Sequence, residues 1–121
     1  MNPVYPKIAA SDVWVFGKPV YWYGPTALIK CFIDRFVYFN CPANREMIRG
    51  KSAVLAVPFE EDNPETAALV TAFFQKSMAF LDVRLLGSMI VPGMERKGQI
   101  LELPDRLAEA YELGRKAAVE S

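Results

Sequence analysis

Three short apolar runs punctuate the chain: Val13-Trp14-Val15-Phe16, residues 52–57 (SAVLAV) and residues 84–91 (RLLGSMIV). Each is too brief for a helix and is built largely of β-branched, aromatic or aliphatic side chains, so each reads as a strand. The first two show no polar alternation, the pattern of strands buried on both faces of a parallel sheet. In the third, Gly87 marks an interior weak point or a position of close packing.

Helical spacing fills the intervals. Gly24-Pro25-Thr26 reads as a helix entry with Pro25 at the first helical position, where a missing N–H costs nothing. Ala27, Leu28, Cys31, Phe32 and Phe36 then recur along one side, while Lys30 and Asp34 share another; the helix should end near Phe39 or Asn40, with a loop to Lys51. Asn63 caps a second helix with Pro64 first and Glu65 in the first turn, and Leu69, Phe73, Lys76/Ser77 and Phe80 mark its course to about Leu81. Ala68 and Ala72 would let it approach a sheet closely. Pro104 opens a last helix to about Val119, with Leu107, Ala110, Tyr111, Gly114 and Ala117/Ala118 along one side. Residues 2–11 read equally well as a frayed leader or as a short helix capped by Asn2, with Pro3 first and Tyr5, Ile8 and Ala9 inward.

Strands alternating with helices imply a parallel sheet joined by right-handed crossovers. In open sheets of this kind ligands bind where loops leave the carboxyl ends of the strands. Two such loops stand out. The first, residues 17–26, is dense in aromatics (Tyr21-Trp22-Tyr23); the second, Pro58 to Asn63, has no glycine and holds Glu60, Glu61 and Asp62. That acidic triplet is weak support for a cation site, and its expected role is to place negative charge at the following helix N-terminus.

Composition narrows the chemistry. At 121 residues and 52% hydrophobic side chains, the chain holds enough apolar material for one domain with a real core. Lys plus Arg number 14 and Asp plus Glu 14, with no long run of one sign, which argues against nucleic acid or an anionic membrane as partner. No apolar run is long enough to span a bilayer and no signal-peptide pattern is present, so a soluble cytoplasmic protein is expected. Histidine is absent, which removes Ser-His-Asp, Cys-His and HExxH chemistry. Of the two cysteines, Cys31 falls on the apolar helix side and is expected to pack, and Cys41 before Pro42 is a loop thiol. Arg45, Arg49 and Lys51 are scattered bases expected to be solvated rather than a phosphate site. No metal site and no catalytic side chain is assigned. What remains for chemistry is carboxylates, lysine, tyrosine or a bound cofactor, with the cofactor favoured.

Gly17-Lys18-Pro19-Val20-Tyr21-Trp22-Tyr23-Gly24, followed by Leu28-Ile29-Lys30 and Phe32-Ile33-Asp34-Arg35, resembles the middle of the NAD(P)H-dependent FMN reductase and multimeric flavodoxin family. The resemblance implies an α/β, flavodoxin-like three-layer sandwich. The chain supplies a parallel sheet of about three strands corresponding to strands 3, 4 and 5 of the order 2-1-3-4-5. Residues 1–121 are then a single truncated, partial domain lacking the half that carries the phosphate loop. The implied activity is FMN-dependent hydride transfer from NAD(P)H to an acceptor, with Pro19, Val20, Tyr21, Trp22, Tyr23, Gly24 and Thr26 lining the cofactor. Lys30, Asp34 and Arg35 would hold the helix and an interface.

The departures from the family pattern are specific. Lys18 replaces a small residue, the second loop lacks its usual glycines, and the compact cysteine motif of iron–sulfur flavoproteins is missing. Without a phosphate loop, FMN affinity should be much reduced unless a partner completes the site. The strand at Val13-Trp14-Val15-Phe16 would be an apolar edge. It is therefore expected to pair with a second copy, as a homodimer or higher homo-oligomer, or with a separate chain supplying the missing half. The rival reading is a non-catalytic flavodoxin-like module serving oligomerisation or protein interaction.

Overall fold

The computed structural model describes residues 2–120 and contains a parallel sheet of three strands, β1 (Val13–Gly17), β2 (Ser52–Pro58) and β3 (Arg84–Val91), in the order β1-β2-β3. Five α-helices accompany the strands: α1 (Tyr5–Ala10), α2 (Ala27–Asp34), α3 (Pro42–Glu46), α4 (Ala68–Phe80) and α5 (Pro104–Glu120). 3-10 segments at Arg35–Asn40, Pro64–Ala67 and Gln99–Glu102 connect them. The expected alternation and the parallel pairing are both present.

Register explains why β2 is the spine. Val15 lies opposite Val54 and Phe16 opposite Leu55, while Leu55 lies opposite Ser88 and Val57 opposite Ile90. Flanked on both sides, β2 has Ala53, Val54, Leu55 and Val57 all buried. On one face Trp14 and Phe16 meet Phe36 and Phe74, with ring centroids 5.6 Å (Trp14–Phe36) and 5.0 Å (Phe16–Phe74) apart. The other face is covered by α5, which packs chiefly on β3 and β2.

Several expectations need correction, and most share one cause. Val15 is 71% exposed rather than buried, because α5 lies mainly over β3 and β2. Along α2 the buried residue is Ile33, with Leu28 86% exposed and Cys31 also exposed, so Cys31 does not fill the packing role expected of it. Along α4 the buried stripe is Val70-Phe74-Met78, one position on from the expected Leu69 and Phe73, and Phe80 is exposed. On α5 Ala117 is buried and Leu113 half-buried, while Leu107 and Tyr111 face out. In each helix apolar residues sit on adjacent positions, and contact with the sheet selects which of them turns inward.

The ends of elements differ too. Helix α1 begins at Tyr5 with Val4 before it, so neither Asn2 nor Pro3 opens it. Helix α2 is capped by Thr26, whose Oγ1 accepts the Ile29 N–H at 3.3 Å; Pro25 lies outside. The expected loop to Lys51 contains α3, which has Pro42 in its first turn. Arg45 is not solvated: it donates to the carbonyls of Phe39 (3.0 Å) and Phe80 (2.8 Å), tying the 3-10 turn to the end of α4. Asn63 caps as expected, its Oδ1 accepting the Glu65 N–H at 3.0 Å, although the first turn it opens is 3-10.

Candidate functional site

The carboxyl ends of β1 and β2 open onto a cleft of about 550 Å³, lined by Val20, Trp22, Tyr23, Phe59, the carboxylates of Glu60, Glu61 and Asp62, Thr66 and Glu95. That volume lies within the usual span of small-ligand sites, roughly 300–1,000 Å³.

The first wall is built by the loop leaving β1. Lys18 N–H donates to the Ala56 carbonyl at 3.0 Å, carrying the pairing one residue past the strand. The chain then folds into a tight turn in which Gly24 N–H donates to the Tyr21 carbonyl at 3.2 Å, and Tyr21 and Gly24 form an antiparallel bridge. Trp22 and Tyr23 occupy the two central positions with φ of 49° and 64°. Positive φ at both central positions is the mark of a type I′ turn, which favours Asn and Gly. Large aromatic residues held there store strain of order 1–3 kcal/mol each, a feature that clusters at ligand-binding segments. The turn projects Trp22 outward, 95% exposed.

Beneath it lies Lys18, only 3% exposed, whose Nζ donates to the Gly24 carbonyl at 3.4 Å. Burial pushes its pKa down to about 8. This side chain turns inward and anchors the aromatic loop from below.

The facing wall is the loop after β2. Phe59 N–H donates to Val91 and the Phe59 carbonyl accepts from Met94, at 3.1 and 2.8 Å, fixing this loop to the exit of β3. Thr66 Oγ1 donates to the Glu61 carboxylate, and Gly93 N–H to the Glu61 carbonyl at 3.1 Å. Gly93 has φ +75°, and a side chain there would meet Asp62 Oδ1 at 3.3 Å. Gln99 closes the third loop: its Oε1 accepts the Glu95 N–H at 2.9 Å, and its Nε2 donates to the Gly93 carbonyl at 3.1 Å.

Of the residues expected to line a ligand, Val20, Trp22 and Tyr23 are on the cleft wall. Tyr21 and Gly24 form the bridge that shapes the turn, Pro19 leads into it, and Thr26 caps α2. Phe59, Thr66 and Glu95 were not singled out in the sequence as ligand-facing. The Pro92-Gly93 turn after β3 was the available signal for Glu95, since it places that residue beside the other two exits. Among the described residues no group of His, Cys, Asp and Glu side chains is arranged to hold a metal ion. No helix among them is long and apolar enough to cross a membrane.

A cleft with apolar and aromatic walls suits a planar ring, and the sheet beneath it has known counterparts. The family model of the NADPH-dependent FMN reductases matches residues 1–86. The Trp repressor binding protein from Bacillus subtilis shares 24% identity and a TM-score of 0.80, over 93% of this chain and 68% of that one. A flavodoxin, WrbA-like protein from Agrobacterium tumefaciens superposes with a TM-score of 0.67 at 16% identity, over 99% of this chain and 73% of the other. General stress protein 14 from Treponema denticola, solved in complex with FMN, gives 0.66 at 18%, over 93% and 72%. No curated protein matches the chain. The likeness to solved structures establishes a flavodoxin-like α/β fold.

Proposed function

The chain belongs to the NADPH-dependent FMN reductase family, and from that premise we propose that it is a cytoplasmic flavoprotein whose cleft at the strand ends takes the ring of FMN, with NAD(P)H as reductant. The observation that carries the proposal is the aromatic turn, held over the carboxyl ends of parallel strands, where open α/β sheets place their ligands. Val20, Trp22, Tyr23 and Phe59 would hold the ring, with Tyr21, Gly24, Pro19 and Thr26 shaping the loop around it. When bound, the flavin supplies the hydride and electron chemistry; the chain's part is to position it and exclude water. In the same reading the outer border of β1 pairs with a second copy, or with a separate chain that supplies a strand and a phosphate-binding loop.

The test is direct. Purified protein is mixed with FMN, freed of excess by gel filtration and examined for retained flavin absorbance, then given NADPH and followed for its oxidation. Retained flavin with NADPH oxidation is the expected result. Protein that comes off colourless rejects the reading. Flavin retained without turnover favours the rival, a non-catalytic interaction module, for which the exposed Val15 border is the supporting observation.

A further inference from the structure

Among the described residues no strand pairs with the outer border of β1. Its inner border is bonded to β2 at both ends: the Asp12 carbonyl accepts the Ser52 N–H at 3.2 Å, and Lys18 N–H donates to the Ala56 carbonyl at 3.0 Å. By the alternation of a parallel ladder, Val13, Val15 and Gly17 therefore turn both main-chain groups outward. Within Val13–Gly17 there is no lysine, no proline and no register shift against β2, the devices that keep sheet edges apart. The central side chain, Val15, is 71% exposed, and Ile29 and Phe32 flank the same border. What lies just beyond the strand limits how far a ladder can run. Ser11 N–H is already given to the Ile8 carbonyl at 3.3 Å, and Pro19 has no N–H to give.

We infer that β1 is the seam of a symmetric homodimer in which two copies of the strand pair antiparallel, with Val15 of one copy opposite Val15 of the other and Val13 opposite Gly17. This rests on the reading above that the β1 border is joined, and it chooses the second copy over a separate chain. A closed pair of identical chains is related by a two-fold axis. An axis along the strands would keep them parallel but set like main-chain groups against each other, so the pairing has to be antiparallel. With Val13, Val15 and Gly17 outward, the central residue falls on the axis and every outward N–H and C=O finds a partner. The next bonding register in either direction fails. One brings in Ser11, whose N–H is in use, and the other brings in Pro19, which has none. The two sheets then run on as one, and their clefts open at opposite ends of it.

Cysteine cross-linking of the whole chain tests the register, with Cys31→Ser and Cys41→Ser removing the two exposed native thiols. Antiparallel partners that exchange hydrogen bonds stand about 5.5 Å apart at Cα, within reach of a disulfide. Oxidation with copper–phenanthroline should therefore link Val15→Cys into a covalent dimer on a non-reducing gel. Val13→Cys should stay a monomer on that gel, because its two copies would lie about 14 Å apart along the strands. Mixed with Gly17→Cys it should link; a Cβ at Gly17 has nothing within 4 Å, so that variant is accommodated. Val15→Cys that does not link, or Val13→Cys that links alone as readily, overturns the inference. Sedimentation velocity before oxidation separates the two ways of failing. A non-covalent dimer rejects this register alone, whereas a monomer rejects pairing with a second copy altogether. Flavin retention is read separately by absorbance and is untouched by either result. Should the Gly17 variant fail to fold, the contrast between Val15→Cys and Val13→Cys decides alone.

Discussion

Along its β3 border the sheet is finished by helix α5. Lys116 Nζ donates to the Leu86 carbonyl at 2.9 Å, Leu113 rests over Gly87, and the Arg84 guanidinium reaches the Glu120 carbonyl at 2.6 Å. Among the described residues the β1 border has no such covering. Asp12 C=O and Lys18 N–H both bond toward β2, so by the alternation of a parallel ladder the main-chain groups of Val13, Val15 and Gly17 point outward. A groove of about 450 Å³ runs beside them, lined in part by Val13, Val15, Ile29 and Phe32. The two lysines show the difference in small: Lys116 caps an edge carbonyl from outside, whereas Lys18 at the end of β1 folds inward under the aromatic turn. An apolar border with unpaired main chain is a template for another strand, and a charged helix laid over the edge removes that template. Among the described residues the β3 side carries that covering and the β1 side is left open.

The largest effect should come from removing what holds β1 to its own helices. Trp14 is 8% exposed, stacks edge-on to Phe36 and donates its indole N–H to the Ile8 carbonyl at 3.2 Å. Trp14→Ala should cost about 3–5 kcal/mol, read as a lowered urea midpoint. A cost under about 1 kcal/mol would mean the border strand is not anchored through this ring. Next comes the sealed side. A Cβ at Gly87 would stand 2.7 Å from Leu113 Cδ1, so a branched side chain must lift α5. Gly87→Val should cost about 1–3 kcal/mol and loosen the C-terminal helix, seen as faster amide exchange in α5 with β1 unaffected. If exchange in α5 is unchanged, the helix is not what closes this edge.

How far these contrasts could be read from the sequence depends on what decides them. The three strands were legible because short β-rich runs between turn residues have few other solutions; residues 84–91 coincide with β3 end to end. The loop leaving β1 was legible from its aromatics, and Asn63-Pro64 from its cap. Helix faces were not. Leu69 and Val70 are neighbours of similar hydrophobicity, and only the position of Phe16 and β2 beneath α4 makes Val70, Phe74 and Met78 the inner set. Glycine was also a poor guide to the turn: the left-handed positions are Trp22 and Tyr23, and Gly24 is not among the positive-φ glycines. Glu95 reaches the cleft on the loop that leaves β3, and the Pro92-Gly93 turn before it was the one sequence mark of that exit.

A smaller effect on stability, with a clear one on assembly, is expected at the open border. Val15→Lys changes a side chain that is 71% exposed, so folding free energy should move by less than about 0.5 kcal/mol. The same lysine would blunt the edge as edge lysines do in natural sheets. Sedimentation velocity of the unmodified chain should show self-association that Val15→Lys abolishes. A chain that sediments as a monomer at high concentration, with or without the lysine, breaks the claim that this border is joined by a second copy.

The smallest effect is a pH dependence at the inward-turned lysine, Lys18. The Lys18 ammonium is held to about 8 by burial, below its ordinary value of 10.5. Between those two values the unfolded chain keeps a proton that the folded chain has released, so stability contributed by this group rises with pH across that window and is flat below it. Lys18→Met keeps the length and apolar stem of the side chain but has nothing to titrate. The urea midpoint of the unmodified chain should therefore gain on that of Lys18→Met as pH is raised from about 7.5 to about 10. Parallel curves for the two would mean that water reaches the Lys18 ammonium, and that the aromatic turn is not packed down upon it.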